Sequence, residues 1–185
     1  MIARAEASPP VLQIDAYVWR RALPTDAATF EALAAHGTNR IVFNLPRSAD
    51  EFAVRMGGPT FGQPMLCLRR STPVGAAGTT SRNRRSLNLQ LACFFVQPAR
   101  AVLPLAGYLR HLFWAMPIHR VYVQLPAVVG VRSYVRLFRE VGFAEEGVVR
   151  GHALVGGRPR DVVALGILRK EFEAWCAINE SRLAL

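Results

Sequence analysis

Between Leu87 and Leu168 the apolar residues switch repeatedly between a period of two and a period near 3.6. That switching restricts the chain to a sheet with helices packed on it. Leu87, Leu89 and Leu91 alternate with Asn88 and Gln90, the pattern of a half-buried strand running to Val96. Val102, Ala106, Leu109 and Phe113 then recur at i, i+4, i+7 and i+11, one face of a helix. Arg120–Leu125 alternates again. Arg132–Val141 is helical, with Tyr134, Phe138 and Val141 on one face, Arg132, Arg136 and Arg139 on another, and Gly142 as its stop. Gly147–Leu154, a Gly156-Gly157 turn and Asp161–Leu168 read as a hairpin, and Glu171–Ile178 as a short final helix.

The first half is less regular. Residues 1–10 form a leader that ends at Pro9-Pro10, and residues 11–185 form one domain. Val11–Trp19 is rich in β-formers and predicts a first strand. Thr25-Asp26 caps a helix over Ala28–Ala35, and Ser48 with Glu51 in capping-box spacing predicts another over Ser48–Met56. Met65–Arg69 is a strand, Thr72-Pro73 a turn, Val74–Thr79 a strand, and Ser81–Arg85 a polar tip. The resulting fold class is α/β (α+β), a mixed sheet flanked by helices.

The chain has 185 residues, 51% of them hydrophobic and 19% charged, enough to bury a sizeable core. No apolar run reaches spanning length without a charge or proline, which predicts a soluble protein with no membrane partner. Cys67, Cys93 and Cys176 are widely spaced and odd in number. This argues against a disulfide framework or a CxxC metal site and for a reducing cytoplasm. The net charge is +10, and Lys170 is the only lysine. Arginine presents a rigid donor fork suited to bidentate phosphate contacts, so a polyanionic partner is one reading of the excess. A GC-rich genome explains the choice of Arg over Lys but not the excess over acids.

Some residues of the second half carry a resemblance. These are His119-Arg120-Val121-Tyr122, Gly142-Phe143, Glu146-Gly147, Arg150, Gly157, Asp161 and Arg169-Lys170-Glu171-Phe172, with Pro73-Val74-Gly75 earlier. In this order and spacing the sequence resembles the GCN5-related N-acetyltransferase superfamily, and its RimJ/RimL-like branch in particular. The resemblance implies that superfamily's fold, with a mostly antiparallel central sheet over Val11–Trp175, and acyl transfer to an amine.

It also implies a glycine-rich loop whose N–H groups hold the pyrophosphate of acetyl-CoA at a helix N-terminus. The corresponding stretch here, Gln97–Pro104, contains no glycine, and Pro104 removes a donor. Eleven residues before Gly142, where the family often has Asn, stands Val131. Four residues before Gly142, where many members have the Tyr that protonates the leaving thiolate, stands Phe138. The resemblance therefore implies a kept fold and a lost pyrophosphate grip. No resident cofactor is expected, and acetyl-CoA is one of several candidate co-substrates.

Amide formation needs a deprotonated amine, donors at the developing oxyanion and a proton for the leaving group. In the resembling fold the splayed strand corresponding to Leu87–Val96 supplies a backbone N–H and polar side chains. Asn88 and Gln90 there orient substrate, or else form the solvent face of the strand. Cys93 is a candidate nucleophile or a buried free thiol. Tyr134 is a candidate proton donor or a core residue. His152 and Asp161 lie on paired strands of the hairpin. Facing each other they make an oriented base, and otherwise a cross-strand structural pair. Glu146 belongs to the family pattern, where it braces structure more often than it acts on substrate.

Arg82, Arg84 and Arg85 at one tip, with Arg100, Arg132 and Arg136, are candidates for contacts to phosphate or nucleic acid; solvated faces are the alternative. Relatives of this fold that take aminoacyl-tRNA, or thioesters on acidic carrier proteins, need no pyrophosphate loop. The expected reaction is therefore amide formation on a small-molecule amine in a biosynthetic pathway, from aminoacyl-tRNA first and a carrier-protein thioester next. The alternatives are ordinary acetyl-CoA-dependent N-acetylation and a non-catalytic binding module. The expected assembly is a monomer or homodimer.

Overall fold

The computed structural model describes residues 10–37, 39, 50, 62–83 and 85–183. These form an eight-stranded sheet in the order β1-β2-β3-β4-β5-β6-β8-β7, with four α-helices. The strands are β1 Pro10–Ile14, β2 Tyr17–Arg21, β3 Gly62–Arg69, β4 Thr72–Asn83, β5 Asn88–Phe95, β6 Arg120–Pro126, β7 Ala144–Val155 and β8 Arg158–Leu168. The helices are α1 Ala27–Ala35, α2 Val102–Ala115, α3 Val131–Glu140 and α4 Arg169–Ile178. Every neighbouring pair is antiparallel except β5 and β6. The mixed, mostly antiparallel sheet is the expected fold class. No helix among the described residues is long and apolar enough to cross a membrane.

Three expectations shift. Val11–Trp19 is not one strand: Asp15, at φ 49°, turns the chain so that Ile14 pairs with Tyr17, giving the β1–β2 hairpin. The turn expected at Thr72-Pro73 lies at Arg70-Ser71, both at positive φ as a two-residue hairpin turn requires. Ser81–Asn83 belongs to β4 rather than to a tip, with Arg82 in register with Leu89. The second expected helix, Ser48–Met56, lies outside the described residues apart from Asp50, as do Met1–Pro9 and Arg84.

Adjacent strand positions point to opposite faces, and β5 shows which helix lies on which. Phe94 meets Phe30 of α1 edge to face at 6.1 Å. Phe95 meets Trp19, which stacks on Tyr108 of α2 at 4.9 Å. The fully buried Trp19 also donates from Nε1 to the Pro104 carbonyl at 2.9 Å. That bond ties β2 to the first turn of α2, where the proline needs no N–H. Helix α3 packs on β6 and beside the 3-10 turn Pro98–Arg100, and α4 packs on β8.

The Arg169–Phe172 tail is explained by packing. Arg169 donates to the carbonyls of Ile118 and Met116, and its guanidinium lies 5.3 Å from the Phe113 ring centre. Glu171 accepts the Leu168 N–H at 2.8 Å, capping α4, and Phe172 stacks on Phe113 at 5.4 Å. Gly142, at φ 96°, takes the left-handed conformation that ends α3.

Candidate functional site

Strands β5 and β6 pair only through Asn88↔Arg120, Leu89↔Val121 and Gln90↔Tyr122. Beyond these β5 stays with β4 and β6 with β8, so the sheet opens into a gap. Val96 N–H bonds to the Val74 carbonyl. By strand alternation the N–H and C=O of Phe95 therefore point away from β4, into the gap.

Tyr134 of α3 fills that edge. Its hydroxyl accepts the Phe95 N–H at 2.9 Å, lies 3.2 Å from the Phe95 carbonyl oxygen, and donates to Asn39 Oδ1 at 2.5 Å. Asn39 in turn donates to the Leu33 carbonyl of α1 at 3.0 Å. Tyr134 is fully buried. Burial pushes its hydroxyl well above the ordinary phenol range, against the Phe95 N–H, which pulls the other way.

On the α1 face, where β5 and β6 still pair, polar side chains form a floor. Asn88 and Gln90 share the face of Phe94, and their partners Arg120 and Tyr122 share it with Gln124. Gln90 Nε2 donates to Gln124 Oε1 at 3.3 Å. Arg120 lies 4.9 Å from the centre of the Tyr122 ring and forms an ion pair with Glu146 of β7, with Nε 3.3 Å from Oε1. Asn88 Oδ1 is buried without a hydrogen-bond partner among the described residues, the state of an acceptor that a bound donor group would satisfy.

The chain between β5 and α2 is a 3-10 turn. Arg100 N–H bonds to the Gln97 carbonyl at 3.0 Å and Ala101 N–H to the Pro98 carbonyl at 3.0 Å, while Pro98 and Pro104 have no N–H. Two N–H groups are thereby spent within the turn and two positions supply none, which narrows any cradle for a pyrophosphate. Beside it is a 250 Å³ pocket lined by Tyr17, Arg69, Pro73, Phe95, Arg100 and Pro104. Arg69 stacks over Tyr17, whose hydroxyl donates to the Arg100 carbonyl at 3.3 Å.

The expected site residues therefore fall into separate groups. Asn88, Gln90 and Glu146 come together on the floor. Tyr134 stands in the gap. Cys93 is fully buried on β5, and burial pushes its thiol far above the usual range. His152 and Asp161 do not join the floor. Asp161 Oδ1 accepts the Gly151 N–H at 2.8 Å, and both residues lie past Val162, the last β8 position paired with β6. From the Tyr122–Gly166 level Asp161 is five residues along the strand, roughly 17 Å.

Arg132, Arg136 and Arg139 are exposed on α3 above a shallow 610 Å³ depression, with Arg136 bonded to Glu140 at 2.8 Å. Arg85 and Arg100 are exposed on separate turns. Sequence reasoning missed Tyr122 and Gln124 as floor residues, although their alternation with Val121, Val123 and Leu125 was visible. It also missed Asn39, whose role depends on a contact 95 positions away.

No family model matches the sequence, and no curated protein matches it. Solved structures do. A structure provisionally described as an acetyltransferase superposes with TM-score 0.76 at 19% identity, over 98% of this chain and 97% of that one. Mycobacterium smegmatis RimJ in complex with CoA-disulfide gives 0.71 at 16% identity, over 93% of each. A variant of the Vibrio cholerae spermidine N-acetyltransferase SpeG gives 0.70 at 17% identity, over 85% of this chain and 96% of that one. The fold of this chain is that of the GCN5-related N-acetyltransferases, and RimJ is among the structures that share it.

Proposed function

We propose that this protein is an N-acyltransferase that forms an amide on a small-molecule amine. The observation that carries this is the opening between β5 and β6, which leaves a β5 edge with no partner strand next to a polar, half-exposed floor. An extended donor containing amides can add to such an edge as another strand would. Its arm then meets the Phe95 N–H, and its acyl carbonyl the Cys93 N–H, which by strand alternation faces the same side nearer the floor and is a fixed dipole where the oxyanion develops.

The acceptor lies on the floor, oriented by Asn88, Gln90 and Gln124, with Arg120 and Glu146 bracing one side. The amine arrives protonated and loses a proton to water before it attacks. The new C–N bond forms as the C–S or C–O bond to the donor's carrier breaks. The second amine proton leaves and the carrier's sulfur or oxygen is protonated, so charge and atoms balance. RimJ and SpeG, which share this fold, are described with CoA-disulfide and as a spermidine N-acetyltransferase, and they support the reaction class.

For the donor, we favour one whose carrier is not gripped by a phosphate loop. The N–H groups of Arg100 and Ala101 spent within the turn, the prolines at 98 and 104 and the net charge of +10 support an aminoacyl-tRNA or a thioester on an acidic carrier protein. Acetyl-CoA is the second reading, favoured by the CoA-disulfide complex of RimJ and by Arg69 and Arg100 at the adjoining pocket.

The test offers acetyl-CoA, an acyl carrier protein thioester and aminoacyl-tRNA in turn, with a panel of small amines, and reads products by mass spectrometry. Amide product from one donor, with KM for the amine raised about tenfold by Asn88→Ala or Gln124→Ala, is the expected result. Absence of product from all three donors across the panel, in protein shown to be folded, rejects an acyltransferase of this kind.

A further inference from the structure

We propose that Tyr134, held by Asn39, is a built-in occupant of the donor channel that sets its selectivity, and that it must be displaced before a donor carbonyl can engage Phe95. The inference rests on the acyltransferase reading above and concerns the same gap.

The argument is one of hydrogen-bond capacity. A backbone N–H makes one good bond, and that of Phe95 is already given to the Tyr134 hydroxyl at 2.9 Å. The hydroxyl has a single proton, and the short 2.5 Å contact assigns it to Asn39 Oδ1 rather than to the Phe95 carbonyl at 3.2 Å. Asn39 is itself anchored on α1 by its amide to the Leu33 carbonyl. The chain α3–Tyr134–Asn39–α1 therefore bridges the two faces of the sheet through the opening. A donor entering there meets a polar group that already satisfies the strand edge.

A donor able to form several amide bonds along the edge displaces the hydroxyl at little net cost. A donor offering only a carbonyl exchanges one bond for another and gains nothing. By strand alternation the N–H and C=O of Cys93 face the same side as those of Phe95. An amide-bearing donor arm thus has a second point of attachment that a bare acyl group lacks.

The experiment uses the full chain and two probes, acetyl-CoA and S-acetyl-N-acetylcysteamine, a thioester with one amide and no phosphate. Affinity is read by titration of backbone amide resonances, including that of Phe95, in wild type, Tyr134→Phe and Asn39→Ala, with melting curves to establish folding. Tyr134→Phe keeps the ring and frees the Phe95 N–H, and Asn39→Ala loosens the hydroxyl without removing it.

The expected result is about fivefold tighter binding of the short thioester to either variant, with the Phe95 amide shifting on binding. Equal or weaker binding to both folded variants, with the Phe95 amide still shifting, overturns the gate and leaves the donor channel standing. Saturable binding that never moves the Phe95 amide in any variant overturns both. If Tyr134→Phe does not fold, Asn39→Ala alone decides by the same readings.

Discussion

The carboxylate of Glu146 on β7 reaches Arg120 on β6 by lying across Gly166 of the strand between them. A Cβ built at Gly166 would fall inside the Glu146 carboxylate. The glycine therefore leaves room for a neighbour rather than serving its own backbone angles. Gly166→Ala must push the flexible end of Glu146 off Arg120, a partly exposed ion pair, and we expect a loss of up to about 1 kcal/mol in chemical denaturation. Glu146→Ala removes the obstruction, so Gly166→Ala added to it should cost little, and a double-mutant cycle reads the difference. Additive losses would show that the crossing does not matter.

A second ion pair sets acid stability. Arg20 holds Asp26 through two 2.6 Å bonds, and the Leu23 N–H adds a third at 2.7 Å. Burial pulls the Asp26 carboxyl up. The Arg20 hydrogen bonds, the Leu23 N–H and the Arg20 charge outweigh it, so the folded value lies below that of a free carboxylate. A carboxyl depressed on folding stabilises the native state above the unfolded value, about pH 3.9, and loses that contribution as pH falls through the folded value. Asp26→Asn is expected to cost about 3 kcal/mol at pH 7 and to flatten the acid limb of the stability curve below about pH 4. An unchanged acid limb would assign that limb to other carboxyls.

The thiols differ in access. Cys67 and Cys93 are fully buried, and Cys176 is half-buried. Burial raises all three pKa values, with Arg110 partly offsetting it at Cys176. A disulfide reagent on the native protein should label Cys176 alone, and all three thiols only in denaturant. Cys93→Ala should keep acyl transfer. Loss of transfer in step with Cys93 labelling would restore it as a nucleophile.

A donor on a polyanionic carrier should bind with a strong salt dependence. Arg100→Ala and Arg132→Ala should each lower the slope of log affinity against log salt by about one, and leave transfer from the short phosphate-free thioester unchanged. A slope that neither substitution alters would place the carrier elsewhere on the surface.

The second half of the fold was legible because its apolar periods are clean and its punctuation is explicit. Gly142 ends α3, Gly156-Gly157 turns the hairpin, and Arg169–Phe172 locks α4 to the end of α2. The first half was blurred where tight turns use residues other than glycine. Asp15, Arg70 and Ser71 adopt positive φ, which composition does not announce. Half of the site was legible in the same way: Asn88 and Gln90 stood out by alternation, and Glu146 by the family pattern. The rest depends on tertiary contacts. Nothing local shows that Tyr134 reaches Phe95 and Asn39, or that a three-residue bulge at Arg150–His152 leaves Asp161 bonded to Gly151.

The central claim is that the donor's arm takes the Phe95 N–H while an amine lies over the β5–β6 floor. A crystal structure with a bisubstrate analogue, an amine joined covalently to an acylated pantetheine arm, tests this most directly. The account predicts an amide carbonyl of the analogue's pantetheine arm within hydrogen-bonding distance of Phe95 N, Tyr134 turned away, and the amine portion against Asn88 and Gln124. An analogue seated instead in the 770 Å³ cleft between α2 and α4, beside Trp114 and Cys176, with the Tyr134–Phe95 bond intact, would contradict it.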